Sequence, residues 1–313
     1  MDNLTLSIVA PVYNEEHVLR KFYDRVSAAL QGAAYEILFL DDGSRDRSWE
    51  IIADLALRDA RVRGLSFSRN FGHQAALTAG LEHASGKAVI LIDADLQDPP
   101  ELIPQMVKKW EEGHDVVYGV RSQRKGETFF KKATATLFYR LLRRTSPVDI
   151  PLEAGDFRLM SRKVVEALNQ MPERVRFLRG LSSWVGFRQT GIAYERDERH
   201  AGVSKFPFFR MLRFASDGVT SFSIVPLQLA SYLGLTATAV SLLIAIWTLL
   251  THFLNHQVVR GWPSLMIGIT FMGGVQLLMI GIIGEYIGRI YEEVKQRPFY
   301  LIKERVGYEH SVV

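Results

Sequence analysis

The feature that most constrains this chain is a pair of long uncharged runs near its end. Residues 218–259 contain no Asp, Glu, Lys or Arg, and neither do residues 261–284, with Arg260 between them. A bilayer core takes about 20 apolar residues per helix. Two membrane spans therefore fit, at about 226–252 and 262–284, joined by the short "NHQVVRGW". Pro226 and Gly234 are tolerated in a membrane helix, where neighbouring groups re-satisfy the backbone. The competing reading is a buried hairpin of a soluble protein. Lys205, Arg210 and Arg213 precede the first run, and Arg289, Lys295, Arg297, Lys303 and Arg305 follow the second. The positive-inside rule then puts both ends in the cytoplasm. The expected layout is a cytosolic domain over 1–203, a juxtamembrane amphipathic helix over 204–222, a two-helix transmembrane hairpin within 223–288 and a cytosolic tail over 289–313.

Ahead of the apolar runs the pattern changes. "LSIVAPVY", "YEILFLDDG", "VRGLSFSR", "KAVILIDAD" and "DVVYGVR" read as strands, separated by amphipathic segments such as "EEHVLRKFYDRVSAAL" and "PPELIPQMVKKWEEG". Strands alternating with helices imply an α/β fold, a Rossmann-like parallel sheet with helices on both faces. Ligands of such sheets bind beyond the carboxyl ends of the strands. The turn after the first strand, "APVYNEE", has no glycine, and no Gly-Lys-Ser/Thr loop occurs. Nucleotide phosphates, if bound, are not cradled by a glycine-rich loop. The chain has no cysteine, which excludes disulfides, thiolate metal sites and a cysteine nucleophile. A net charge of +4 gives no footprint of a nucleic-acid binder. The start, "MDNLTLSIVAPVYNEE", lacks the basic region of a signal peptide.

Three clusters fall at predicted strand ends: "YN", "DDGS" and "DAD". Asp93 and Asp95 are two apart, so on a strand both carboxylates point to one side. Hard cations such as Mg²⁺ or Mn²⁺ take oxygen ligands and bridge to substrate phosphates. Gln97 repeats the spacing. Asp98 before Pro99 and Pro100 reads as a helix cap. In "LFLDDGSRDRS", Asp46 suits a turn or cap, while Asp42 suits either a turn or a uracil or ribose contact. His73 reads as helix packing or capping rather than a ligand.

Taken together, "VAPVYNEE", "LDDGSRDRS", "RNFGHQAALTAGLEHA", "IDADLQDPPE" and "GDFRLMSR" resemble the family 2 glycosyltransferases of GT-A fold. With the ending "GEYIGRIYEEVKQRPFY" the resemblance narrows to the polyprenyl-phosphate glycosyltransferases. Within these the chain is most similar to the bactoprenol glucosyltransferases and more distantly related to dolichol-phosphate mannose synthase. The resemblance implies that Pro11, Tyr13, Glu15, Asp42 and Asp93 bind the nucleotide sugar, and that Asp93, Asp95 and Gln97 form the metal and diphosphate site with Mg²⁺ or Mn²⁺. It implies further that Ser204 and Lys205 close over the phosphates and that Asp156 and Lys205 stand with Asp95 at the reacting centre. Arg121, Lys131, Arg158, Ser204 and Lys205 are expected at the acceptor phosphate. Four residues after Lys131 this chain has Ala135, where the family often has Ser.

The implied reaction is inverting transfer of a hexose, glucose first, from a UDP-sugar to undecaprenyl phosphate at the cytoplasmic face of the inner membrane. A phosphate nucleophile is largely dianionic at neutral pH, its second pKa being about 6, so it needs no strong base. Asp156 is then a positioning group or a weak base. "RSQRKGETFFKKATATLFYRLLRR", within 121–146, interleaves basic and apolar residues as an interfacial acceptor-side helix does. Glycines in "GITFMGGVQLLMIGIIGEYIG" permit close packing, so a homo-oligomer through the hairpins is expected. The rivals are a GDP-mannose-dependent transferase and, in a different class, a non-catalytic lipid-binding or translocating membrane protein. The second leaves the strand-end acids without a purpose.

Overall fold

The computed structural model describes residues 5–121, 154–173, 176–195, 225–255 and 261–308. The chain divides into two compact units: Met1–Arg143 with Val148–Phe208 and Arg297–Val313, and Arg144–Pro147 with Phe209–Gln296. The interfacial helix expected over 121–146, apart from the strand end at Arg121, and the juxtamembrane helix expected over 204–222 lie outside the described residues.

In the first unit the strand–helix alternation folds as β1 (Leu6–Val12), α1 (Leu19–Ala29), β2 (Tyr35–Asp41), α2 (Ser48–Arg58), β3 (Val62–Phe67), α3 (His73–His83), β4 (Ala88–Leu91), a 3₁₀ turn (Pro100–Leu102), α4 (Ile103–Glu111) and β5 (Val116–Arg121). After it come β6 (Ala154–Ser161), α5 (Arg162–Asn169), α6 (Leu178–Trp184), β7 (Gln189–Tyr194) and, following the second unit, β8 (Ile302–Val306). Every residue of β1, β2 and β4 is buried, as strands covered on both faces require. α1 meets this core through Leu19, Phe22 and Val26, whose spacing puts them on one face.

The described strands form one sheet in the order β7-β5-β6-β4-β1-β2-β3-β8. The run β4-β1-β2-β3 is parallel, as expected. The expectation of a wholly parallel sheet is corrected at both ends. β6 inserts between β4 and β5 and runs antiparallel to both, and β8 lies antiparallel on β3. The apolar pattern of a strand reports its burial but not the direction of its neighbour, so the reversal leaves no mark in "DVVYGVR".

α3 crosses β1 at a glycine. A Cβ on Gly80 would stand 2.1 Å from Cγ1 of Val9. Gly80→Ala is expected to lower stability by about 1–3 kcal/mol through overpacking, although alanine is the better helix former. Thermal unfolding checks this, and an unchanged Tm would mean that Val9 yields freely.

β8 brings the residues after the second unit back to the sheet edge. Tyr300 stacks on Phe67 with ring centroids 5.0 Å apart, and its hydroxyl donates to Glu82. Trp49 Nε1 donates to Glu304 at 2.7 Å, and the Ser68 N–H donates to the Leu301 carbonyl at 2.9 Å.

The second unit contains two long helices, α7 (Val225–Asn255) and α8 (Trp262–Lys295). Gln296, in the left-handed region at φ 50°, ends α8. Of the described residues, one stretch is long and apolar enough to cross a membrane by length and composition, Phe271–Lys295 within α8; the apolar stretch Tyr232–Ile244 of α7 is shorter. Leu242, Leu243 and Trp247 on α7 and Leu277, Leu278 and Ile280 on α8 are exposed.

Candidate active site

Val12 pairs with Asp41 and Val9 with Leu91, which sets the carboxyl ends of β1, β2 and β4 side by side. The loops that follow β1 and β2 are joined by hydrogen bonds. The Asn14 N–H donates to Ser44 Oγ at 3.0 Å and the Arg45 N–H to Asn14 Oδ1 at 2.8 Å. The Glu15 N–H donates to Ser48 Oγ at 2.9 Å, and the Glu16 N–H to Asp46 Oδ2 at 3.1 Å. Asp46 also accepts from the Ser48 N–H at 3.0 Å, the turn role its sequence context suggested. Pro11 is buried in β1, Glu15 is half-buried, and Tyr13 is exposed beside them.

Asp42 is buried, and its carboxylate accepts from two backbone groups. The Phe71 N–H reaches Oδ1 at 2.6 Å, and the Gly72 N–H reaches Oδ2 at 2.9 Å. Burial raises its pKa, while these two N–H groups oppose the rise. Gly72 has φ 101°, a conformation that favours glycine, and the next residue, His73, begins α3. Asp42 thus fixes the entry of α3 in addition to whatever ligand contact it makes.

β4 ends at Leu91, so Asp93 and Asp95 lie in the turn beyond it rather than on the strand. Strand alternation is therefore not what relates them. Leu96, fully buried and at φ 61°, turns the chain; a leucine there is strained by roughly 1–3 kcal/mol. The Gln97 N–H donates back to Asp95 Oδ1 at 3.1 Å. Asp98, read as a cap, instead accepts from the buried Tyr194 hydroxyl, and the 3₁₀ turn has no side-chain cap. Burial pushes the Asp93 carboxyl up to about 6; Asp156, Asp95 and Asp98 add to the shift and His73 opposes it.

Asp156 enters from the antiparallel strand. Leu91 pairs with Arg158 in antiparallel register, so Asp93, two residues after Leu91, and Asp156, two residues before Arg158, approach the same place. Arg179, from α6, donates to both carboxylate oxygens of Asp156 at 2.8 and 2.7 Å. His73 Nε2 lies 3.4 Å from Asp156 Oδ2 and 3.7 Å from Asp93 Oδ1. Burial alone would raise the Asp156 carboxyl, but the Arg179 fork and His73 hold it well below the usual carboxylate range. For His73 burial works downward, and Asp156 and Asp93 outweigh it.

Residues 7–168 match Glycosyl transferase family 2, and residues 225–290 match the GtrB C-terminal hairpin. The chain belongs to glycosyl transferase family 2. This family 2 transferase is 50% identical to the uncharacterized glycosyltransferase YkcC of Bacillus subtilis (strain 168), covering 99% of this chain and 96% of that protein. It is 47% identical to the SfII prophage-derived bactoprenol glucosyl transferase of Shigella flexneri, over 96% of this chain and 98% of that protein. It is 45% identical to the prophage bactoprenol glucosyl transferase homolog of Escherichia coli (strain K12), over 96% and 99% of the two chains. The protein is an enzyme, a glycosyltransferase.

Of the residues expected at the site of this transferase, the fold gathers Pro11, Tyr13, Glu15, Asp42, Asp93, Asp95, Gln97 and Asp156 at one end of the sheet. Arg158, expected at the acceptor phosphate, lies on β6. It is 3% exposed, and its guanidinium donates to the Gly155 carbonyl at 2.8 Å and to Ser182 Oγ. Two residues from Asp156 on β6, it shares that face and points inward. Arg121 ends β5 opposite Tyr194. Lys131, Ser204 and Lys205 lie outside the described residues. Sequence reasoning missed His73 and Arg179. His73 carried a faint signal, a histidine directly after a glycine at the helix start that follows a strand end. Arg179 carried none.

The donor set at Asp93 and Asp95 fits a divalent cation. Asp93 is a carboxyl made unfavourable by burial among like charges, and an added cation relieves both effects. Among the described residues no group of three or more His, Asp or Glu side chains is arranged to hold a metal by itself. A cation there would take its remaining ligands from substrate oxygens and water, as Mg²⁺ commonly does.

Proposed function

We propose that this family 2 transferase moves glucose from UDP-glucose to undecaprenyl phosphate at the cytoplasmic face of the inner membrane, inverting the anomeric centre. The observation that carries the reading is the 47% identity, over 96% of the chain, to a protein named bactoprenol glucosyl transferase. Pro11, Tyr13, Glu15 and Asp42 would receive the nucleotide. Asp93 and Asp95 would hold Mg²⁺ or Mn²⁺, with Gln97 beside them; the bound cation supplies Lewis-acid stabilisation of charge on the leaving diphosphate. Ser204 and Lys205 would close over the phosphates, and Arg121 and Lys131 would meet the acceptor phosphate. Electrostatic contacts of this kind count for more in a water-excluded site.

The membrane layout proposed is a cytosolic catalytic domain with a two-helix hairpin, α7 and α8, both crossing the bilayer. Its support is topological. β8 is hydrogen-bonded to β3, so the chain leaves and returns to one side of any membrane and crosses it an even number of times between them. If α8 crosses, a second crossing precedes it. A homo-oligomer through these hairpins belongs to the same proposal, and crosslinking in detergent that recovers monomer alone would count against it.

The test is product formation by the full chain in detergent with undecaprenyl phosphate, Mg²⁺ or Mn²⁺, and a panel of UDP- and GDP-sugars. A lipid-linked product from UDP-glucose is expected, and chelation of the metal is expected to remove it. The same product from another donor would overturn the choice of sugar, and no turnover with any donor would overturn the transfer reaction proposed for this lipid.

A further inference from the structure

Asp156 is held more firmly than a proton acceptor needs to be. Arg179 occupies both of its oxygens, His73 stands 3.4 Å from the second, and 11% of the side chain is exposed. The clamp is itself anchored. Arg158 on β6 donates to Ser182 of α6, while Arg179 of α6 donates to Asp156 of β6, so two crossed contacts lock helix to strand. Within α6 the Ser182 and Ser183 hydroxyls donate to the Arg179 carbonyl at 3.1 and 3.2 Å. A bidentate guanidinium–carboxylate pair fixes orientation as well as charge.

We propose that Arg179 is a positioning residue for glycosyl transfer: it fixes Asp156 as a permanently paired anion beside Asp93, so that Asp156 acts on the reacting carbon through its charge rather than by taking a proton. This inference rests on the function proposed above. In that reaction an anionic phosphate oxygen forms a bond to the anomeric carbon as the bond from that carbon to UDP breaks. UDP leaves with the electron pair, and no proton has to move. Positive character builds on the sugar ring during the exchange, and a carboxylate held still nearby stabilises it. Without the clamp, the carboxylate would face the like charge of Asp93, which turns it away. His73, 3.4 Å from Oδ2, supports the same orientation.

The experiment compares the full chain with Arg179→Ala, Arg179→Lys and Asp156→Asn, using UDP-glucose, undecaprenyl phosphate and Mg²⁺, with thermal unfolding measured on each. Arg179→Ala is expected to lower kcat roughly 100-fold with both KM values nearly unchanged, because the lost contact acts in the transition state. Added guanidinium is expected to restore part of that loss in Arg179→Ala and none in Asp156→Asn. Arg179→Lys keeps the charge without the fork and is expected to fall between wild type and Ala. An unchanged kcat would overturn the inference. So would a rise in KM for the lipid phosphate alone, which would make Arg179 a substrate ligand. Loss of kcat that follows loss of folded protein in both Arg179 variants, without guanidinium rescue, would reduce Arg179 to a structural residue. Wild type that forms no lipid-linked product from any donor overturns the proposed function itself, and the wild-type arm reports that separately.

Discussion

Asp93→Asn is expected to reduce transfer by roughly 10²–10³-fold while leaving the folded domain intact or slightly more stable. The change is isosteric and removes one negative charge from a half-buried group whose neighbours include Asp95, Asp98 and Asp156. Without a cation, that charge is a burden on the fold; with one, it is a ligand. The same substitution should therefore move two measurements in opposite senses. The Tm of the metal-free protein stays level or rises. The extra Tm gained on adding Mg²⁺ or Mn²⁺, which follows from binding to the native state, disappears along with activity. Asp95→Asn should behave alike in activity. A variant that keeps both its metal-induced stabilisation and its turnover would show that the acids beyond β4 are not the cation site.

Removing the tail is expected to have the largest effect on stability. Truncation before Arg297 deletes β8 and bares the edge of β3, where Gly64, Leu65, Ser66 and Phe67 pair with Val306, Arg305, Glu304 and Ile302. Each ladder hydrogen bond contributes about 0.5–1.5 kcal/mol net, and the Tyr300–Phe67 stack adds about 0.5–1.5 kcal/mol beyond its buried area. Together with the exposure of Phe67, the loss approaches the whole stability of an ordinary domain, about 5–15 kcal/mol. The bare edge is also a template for strand pairing between chains. The truncated protein should be recovered aggregated by size-exclusion chromatography. Tyr300→Ala is the milder form, expected to cost about 2 kcal/mol and to lower Tm by about 4–8 °C. A truncated chain with wild-type Tm and activity would mean that β8 contributes nothing to the domain.

Much of this was readable in advance, and for identifiable reasons. The buried strands β1, β2 and β4 announce themselves as apolar runs, and acids follow each of them, Glu15 after β1, Asp42 after β2 and Asp93 after β4. An acid at a strand end in a sheet of this class has few structural excuses, which is why Asp93 and Asp95 stood out. Asp98 went the other way, and the burial of Arg158 was not legible. Asp98 sat in an ideal capping context but its oxygen faces Tyr194, 96 residues later. Arg158 lies in a strand whose neighbours are both antiparallel, so its face is set by register rather than by its local pattern.

By itself the sequence determined the α/β alternation, the strand-end acids and the long apolar helices, because each depends on residues adjacent in the chain and on water's preference for polar surface. The tertiary structure alone decided three things: that β6 reverses to carry Asp156 to Asp93, that Arg179 and His73 close on that carboxylate, and that β8, which follows the second unit in sequence, pairs with β3 to finish the sheet. These are contacts between distant segments. Their partners are chosen by register and direction, and a side chain's own neighbours in sequence record neither.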